Sequence, residues 1–136
     1  YKDGGAYLNG HPIHVSKGNK LATSLLATGF PYDDFGHEKK YMSLLQKLMH
    51  ESRGIRRLGS AAIDLAYVAA GRFDAFYEYG LNPWDVAAGI CLVKEAGGNV
   101  CDFKGGSNML FGEEIIATNG KIDDELIAII QDSFND

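Results

Sequence analysis

Residues 57–98 read RLGSAAIDLAYVAAGRFDAFYEYGLNPWDVAAGICLVKEAGG, and the order of helix starts and apolar runs in this stretch decides the fold class. Ser60 is a good N-cap, because its hydroxyl can accept a free backbone N–H of the first helical turn. Residues 61–70 are apolar nearly all round apart from Asp64, and Gly71 is typical of a helix end. We therefore predict a helix here that is buried between two layers.

A strand and a second helix follow in the same stretch. Residues 73–78 predict a strand and residues 79–82 a loop. Asn82 and Pro83 are typical of the N-cap and first position of a helix, which we expect to extend to about Ala96, before a pair of glycines.

A hairpin and a strand are predicted near the start of the chain. Residues 6–15 contain an Asn-Gly turn between short apolar runs, which is typical of a β-hairpin, and Pro12 favours an edge position for the second strand. The apolar run 22–29 predicts a buried strand.

An amphipathic helix is predicted next, with Asp33 or Asp34 as its cap. Its apolar residues recur at helical spacing: Tyr41, Leu44, Leu45, Leu48 and Met49. Residues 55–58 predict a brief strand that leads into the stretch quoted above.

The C-terminal part continues the alternation of strands and helices. We predict strands over 99–103 and 114–118, a Gly-rich loop over 104–113 and an amphipathic helix over 122–134. Strands that alternate with helices indicate a layered α/β domain.

The composition fits one domain and limits the partners. The chain has 136 residues, of which 46% are hydrophobic and 23% charged, so one compact core is feasible. A formal net charge of -5 disfavours binding to nucleic acid or to an anionic membrane surface. Cys91 and Cys101 form no CxxC pair and are interpreted as reduced core thiols.

Targeting signals are absent from the sequence. It has no signal peptide, no apolar run long enough to span a bilayer and no lipidation motif, so we expect a cytoplasmic protein. The first residue is Tyr1 rather than Met, and residues 2–5 resemble the turn of a hairpin already under way. We therefore expect the chain to be a fragment of a longer protein.

Two carboxylates could carry chemistry. Asp85 falls at the third position of its predicted helix, where it could stabilise the helix through the dipole or present a fixed oxygen ligand to Mg²⁺. Glu78 ends the preceding strand, so it is either a solvated strand-end charge or part of the same rim of the sheet, where open α/β folds bind ligands. Position alone leaves both alternatives open.

The other candidate groups are less specific. The segment Gly59-Ser60-Ala61-Ala62 offers free backbone N–H groups to an anion or a hydroxyl, or simply caps its helix. The histidines are scattered and suggest no catalytic triad: His11, His14, His37 and His50. The aromatic residues near Glu78 are interpreted as core or rim packing: Phe76, Tyr77, Tyr79 and Trp84.

Four segments together resemble the C-terminal half of the inositol monophosphatase family. They are residues 57–62, 71–78, 81–89 with Trp-Asp-Val-Ala-Ala-Gly, and 95–98 with Glu-Ala-Gly-Gly. The resemblance extends over essentially the whole chain. It implies the C-terminal domain of that fold, a central mixed sheet flanked by helices over residues 1–136.

The resemblance also implies an activity, that of a Mg²⁺-dependent phosphomonoesterase in which metal-bound water attacks the phosphorus. By similarity, Asp85 would be a metal ligand near the substrate and Glu78 would accept hydrogen bonds from substrate hydroxyls. Gly59, Ser60 and Ala61 would line the same pocket. The implied substrate is an inositol phosphate or sugar phosphate, and the implied assembly is a homodimer.

One part of the family pattern is missing. The Asp-Pro-x-Asp-Gly-Thr motif, which in the family supplies most metal ligands and holds the phosphate, does not occur in these residues. We therefore expect the 136 residues alone to be inactive. The alternatives are a fructose-1,6-bisphosphatase or 3′-nucleotide phosphatase of the same superfamily, and a non-catalytic binding module.

Overall fold

A five-stranded sheet with helices on both faces forms the core of the computed structural model, which describes residues 2–30 and 36–134. The strands are β1 (Tyr7–Leu8), β2 (His11–Pro12), β3 (Leu25–Thr28), β4 (Gly54–Arg56), β5 (Ala75–Tyr79), β6 (Asn99–Cys101) and β7 (Glu114–Thr118). The helices are α1 (Glu38–Glu51), α2 (Ala61–Ala69), α3 (Pro83–Glu95) and α4 (Asp123–Phe134), with a 3-10 turn at Leu21–Thr23.

The large sheet is mixed, with strand order β4-β3-β5-β7-β6. Strand β3 pairs in parallel with β4 and β5, whereas β7 is antiparallel to both β5 and β6. The three parallel strands end at the same edge, so the loops that follow them meet there. The predicted fold class, a layered α/β domain with a mixed sheet, is confirmed.

Strand β5 is central and is buried on both faces. Because successive side chains of a strand point to opposite faces, Phe76 packs into the core that α2 and α3 cover, and Tyr77 into the core that α1 and α4 cover. A strand buried in this way reads as a nearly continuous apolar run. Glu78, which is only half-buried, is therefore an exception within β5.

Helices α2 and α3 approach each other closely at Gly89. A Cβ placed on Gly89 would lie 2.6 Å from Cβ of Leu65, nearer than real Cβ atoms approach each other. Glycine has a low helix propensity, but the absence of a side chain at Gly89 lets the two helices touch. This contact orients the start of α3, where Asp85 lies.

Two predicted strands are shorter in the structure by two residues or more. The predicted strand 22–29 begins only at Leu25, because a 3-10 turn precedes it in which the Ser24 N–H donates to the Leu21 carbonyl (2.9 Å). The predicted strand 99–103 ends at Cys101. There the Asp102 carboxylate accepts backbone N–H groups from three residues of the next loop and closes a turn: Lys104, Gly106 and Asn108.

Two burial predictions were wrong in part. Helix α2 is not buried all round, since 48% of Ile63 is exposed. In α1, Tyr41, Leu44 and Leu48 are buried, but Met49 projects into solvent with 61% exposed, because the buried stripe is narrower than the apolar pattern.

Two further local predictions are confirmed, the cap of α2 and the bounds of β7. The Ser60 hydroxyl accepts the Ile63 N–H at the start of α2, and β7 has the predicted bounds. Helix α1 begins after His37, and Asp33 and Asp34 lie outside the described residues. Both cysteines are free, with Cys101 buried. Within the described part of the chain, no helix is both long and apolar enough to cross a membrane.

Candidate active site

A cavity of about 550 Å³ opens at the edge of the sheet where the parallel strands end. All five site residues selected from the sequence line it: Gly59, Ser60, Ala61, Glu78 and Asp85. Residues that follow β3 and β4 line it too, so the cavity draws on three strand ends and the starts of α2 and α3. This is the position at which open α/β sheets bind ligands.

Glu78, the last but one residue of β5, places its carboxyl group against the backbone of Gly29. A Cβ on Gly29 would lie 2.5 Å from Cδ of Glu78, so glycine leaves the space that the carboxyl group fills. Burial raises the pKa of Glu78 to about 8, the negative charges of Asp64 and Asp85 add to the rise, and Arg57 opposes it. The Glu78 carboxyl group therefore holds its proton to a higher pH than an exposed glutamate does.

Asp85 is fixed by the backbone at the start of α3. Its Oδ2 accepts the Asn82 N–H at 3.0 Å, and its own N–H donates to the Asn82 carbonyl at 3.0 Å. The carboxylate thus stabilises its helix, as one of the two sequence interpretations proposed. The same bond holds the half-buried carboxylate at the cavity wall, so a structural role does not conflict with a ligand role.

The segment from Gly59 to Ala61 turns the chain from β4 into α2. Gly59 has φ of 91°, in the left-handed region that favours glycine. The Ser60 Oγ accepts the Ile63 N–H at 3.3 Å and so serves as the helix cap. What this segment presents to the cavity is chiefly backbone and small side chains.

Sequence reasoning missed three residues that shape the cavity. Gly29 and Phe30 follow β3, and Arg57 follows β4. Arg57 is the only cation among the described residues that line the cavity, and its guanidinium carbon lies 5.4 Å from the centre of the Phe30 ring. Their position after predicted strands was the available signal, since strand ends build such sites. Trp84, which was interpreted as packing, lies at the cavity rim with 79% exposed.

Asp64 adds a buried charge close to this site. It lies on α2, one turn after Ser60, and is 1% exposed. Neither carboxylate oxygen has a hydrogen-bond partner among the described residues. Burial raises its pKa to about 6, although Arg57 opposes the rise. The sequence signal for Asp64 was its isolation in an apolar helix.

The cavity fits part of a Mg²⁺ site. Carboxylate oxygens are the ligands that Mg²⁺ prefers, and Asp85 presents one carboxylate at the cavity wall. Over residues 2–30 and 36–134, no group of three or more His, Cys, Asp or Glu side chains could hold a metal ion. The described residues therefore suit one ligand of the ion and not its complete coordination shell.

Comparison with known proteins decides the family, since the chain matches the model of the inositol monophosphatase family over residues 1–134. It belongs to this family. It is 46% identical over 132 residues to the Nus factor SuhB of Escherichia coli (strain K12), and 43% identical over 130 residues to an inositol-1-monophosphatase of Mesorhizobium japonicum. These alignments cover 97% and 96% of the chain and 49% of each relative.

A solved structure agrees with the sequence comparisons. The fold matches that of the extragenic suppressor protein suhB from Bartonella henselae with a TM-score of 0.90 at 42% identity, over 96% of this chain and 50% of that one. The chain therefore spans about half the length of these relatives. The resemblance read from the four segments is confirmed at the level of the family and the fold.

Proposed function

We propose that the chain is the C-terminal, substrate-binding domain of a Mg²⁺-dependent inositol-1-phosphate phosphatase. The observation that carries the proposal is the cavity at the strand ends, lined by Glu78, Asp85 and the segment Gly59 to Ala61. Since the chain belongs to the inositol monophosphatase family, this cavity would combine a fixed carboxylate for a metal with a second carboxyl group for substrate hydroxyls.

Each residue has a role that follows from its surroundings. Asp85, held by the Asn82 N–H, would be one ligand of Mg²⁺. When bound, Mg²⁺ would supply an activated water and neutralise charge on the transferred phosphoryl group. The Glu78 carboxyl group would accept hydrogen bonds from hydroxyls of the substrate. Arg57 lowers the cost of keeping Glu78 ionised, because its positive charge opposes the effect of burial.

Under this proposal, the residues that line the cavity form only one part of the active site. In the pattern that the resemblance implies, an Asp-Pro-x-Asp-Gly-Thr segment supplies the other metal ligands, and the 136 residues do not contain it. We propose that this chain alone releases no phosphate. Its activity would require the remainder of an enzyme of twice this length, which we also propose to be a cytoplasmic homodimer.

The test is phosphate release by the complete protein encoded by the gene, with and without Mg²⁺. The substrates are inositol 1-phosphate, fructose 1,6-bisphosphate and a nucleoside 3′-phosphate. We expect the highest kcat/KM for inositol 1-phosphate and none of this activity from residues 1–136. Preference for either other substrate would favour the corresponding phosphatase. Activity of residues 1–136 would disprove the proposal that the site needs residues outside this chain.

A second candidate function is a role in assembly with other proteins. It is favoured by the name of one relative, the Nus factor SuhB of Escherichia coli. A complete protein that binds Mg²⁺ poorly, hydrolyses none of the three substrates and co-purifies with transcription proteins would support this role over catalysis. The net charge of -5 still disfavours direct contact of this chain with nucleic acid.

A further inference from the structure

A cluster of buried hydroxyl groups lies beneath the cavity and outside its lining. Tyr41, on α1, is 2% exposed, and its Oη lies 2.6 Å from the Gly29 carbonyl oxygen and 2.6 Å from the Thr28 Oγ1. The Thr28 Oγ1 lies 2.8 Å from the Tyr77 carbonyl oxygen. When the Tyr41 hydroxyl donates to the Gly29 carbonyl, the Thr28 hydroxyl has one proton to donate. Both the Tyr77 carbonyl oxygen and the Tyr41 Oη are within reach of that proton.

Both carbonyl groups that this cluster holds belong to residues next to Glu78, one in the chain and one in space. The Tyr77 carbonyl belongs to the peptide bond that leads into Glu78. Gly29 is the residue against which the Glu78 carboxyl group lies, with no room for a Cβ between them. Thr28 and Tyr77 are also paired across β3 and β5. The cluster therefore joins the ends of two parallel strands at Gly29, the residue that the Glu78 carboxyl group contacts.

Neighbouring aromatic rings hold Tyr41 in position to donate to the Gly29 carbonyl. Its ring lies 5.4 Å from that of Tyr79 and 5.9 Å, edge to face, from that of Phe30, measured between ring centres. Burial raises the pKa of Tyr41 above its usual range, so the hydroxyl group remains a proton donor. Helix α1 thus contributes a rigid donor to a strand end, although no α1 residue lines the cavity.

We propose that Tyr41 is a positioning residue for Glu78: by donating to the Gly29 carbonyl it fixes the surface on which the Glu78 carboxyl group rests. Through this contact Tyr41 sets how well the site recognises hydroxyl-bearing phosphate esters. The inference rests on the proposed function, because it takes Glu78 as the acceptor of substrate hydroxyls.

The test compares two substrates in the complete protein. Inositol 1-phosphate carries hydroxyls near the phosphate, and phenyl phosphate carries none. The variant Tyr41→Phe keeps the ring and removes the donor, and we expect it to lower the ratio of kcat/KM for inositol 1-phosphate to kcat/KM for phenyl phosphate about three- to tenfold. Thr28→Val should change this ratio in the same direction. Tyr67→Phe is the control and should leave the ratio unchanged, because Tyr67 packs against Phe73 and Arg72 and does not line the cavity.

A variant of Glu78 separates the failure of this inference from the failure of the proposed function. One outcome is that Glu78→Gln lowers the ratio, whereas Tyr41→Phe lowers kcat/KM for both substrates equally or for neither. In that case Tyr41 is not a positioning residue, and the proposed function stands. If Glu78→Gln leaves the ratio unchanged, or the protein does not hydrolyse inositol 1-phosphate, the proposed function fails and the inference about specificity fails with it.

A second readout does not depend on activity. Crystal structures of the complete protein with Tyr41→Phe and with Tyr67→Phe would show the position of the Glu78 carboxyl group. We expect Tyr41→Phe alone to displace it relative to the unaltered protein. An unmoved carboxyl group in Tyr41→Phe would overturn the inference.

Discussion

Replacement of Gly29 by alanine should disable substrate recognition while leaving the fold intact. The backbone of Gly29 is not in the left-handed region, so alanine can adopt its conformation. The added Cβ would lie 1.9 Å from Oε1 and 2.5 Å from Cδ of Glu78, whereas ordinary contact begins at 3.4 Å. The carboxyl group must therefore move by about 1.5 Å, since it is the end of a side chain and yields more easily than the strand.

The magnitude follows from that displacement. A misplacement of about 1 Å in a positioning group can reduce catalysis about 100-fold. We expect Gly29→Ala to lower kcat/KM for inositol 1-phosphate by about this factor. The free energy of unfolding should change by no more than about 1 kcal/mol, because the entropic gain of replacing glycine by alanine offsets part of the strain.

The assay is phosphate release by the complete protein at saturating Mg²⁺, with urea unfolding of the same samples. Gly18→Ala is the matched control, because a Cβ there would lie 3.6 Å from Asp74 Oδ1, an ordinary contact. Equal kcat/KM for the two variants would refute the reasoning. Loss of folding in Gly29→Ala would refute the claim that Glu78 yields before the strand does.

Two further predictions concern stability. Asp64 has its ordinary pKa of 3.8 in the unfolded chain and a pKa of about 6 in the fold, so the folded state keeps its proton longer and stability falls as pH rises from 3.8 to 6. Asp64→Asn should therefore stabilise the protein by about 1 to 3 kcal/mol at pH 8, with no gain near pH 3.5; urea unfolding at both pH values tests this, and an equal gain at both would contradict it. Gly89→Ala should destabilise the protein by about 1 to 3 kcal/mol through its clash with Leu65, measured as a lower urea midpoint, and an unchanged midpoint would show that α2 and α3 can separate without cost.

The fold could be predicted largely from local signals. Ser60 and Asn82 marked the starts of α2 and α3, because caps satisfy backbone groups that a helix leaves free. Strand lengths were less predictable. The Asp102 carboxylate ends β6 by accepting three N–H groups from the following loop. The sequence pattern included Asp102 in the predicted strand, so it did not show where the strand ends.

The site could be predicted only in part. Glu78 and Asp85 were found because each stands where a strand ends or a helix starts, and the resemblance to the family gave them roles. Gly29 was interpreted only as the end of a strand. What requires glycine there is the contact with Glu78, which is distant in sequence and leaves no local signal. Tyr41 was predicted as one member of an apolar stripe, and its hydroxyl bond to Gly29 is a tertiary contact that no periodicity shows.

The most direct test of the central claim is the Mg²⁺ dependence of phosphate release by the complete protein with Asp85→Asn. Glu113→Gln is the control, because Glu113 is another acidic residue that lines the cavity. We expect Asp85→Asn to lower kcat for inositol 1-phosphate by about 100-fold or more and to raise the Mg²⁺ concentration needed for half-maximal activity, because a metal ion contributes several kcal/mol of charge stabilisation. Glu113→Gln should leave the Mg²⁺ requirement unchanged. An unaltered Mg²⁺ requirement in Asp85→Asn would contradict the account.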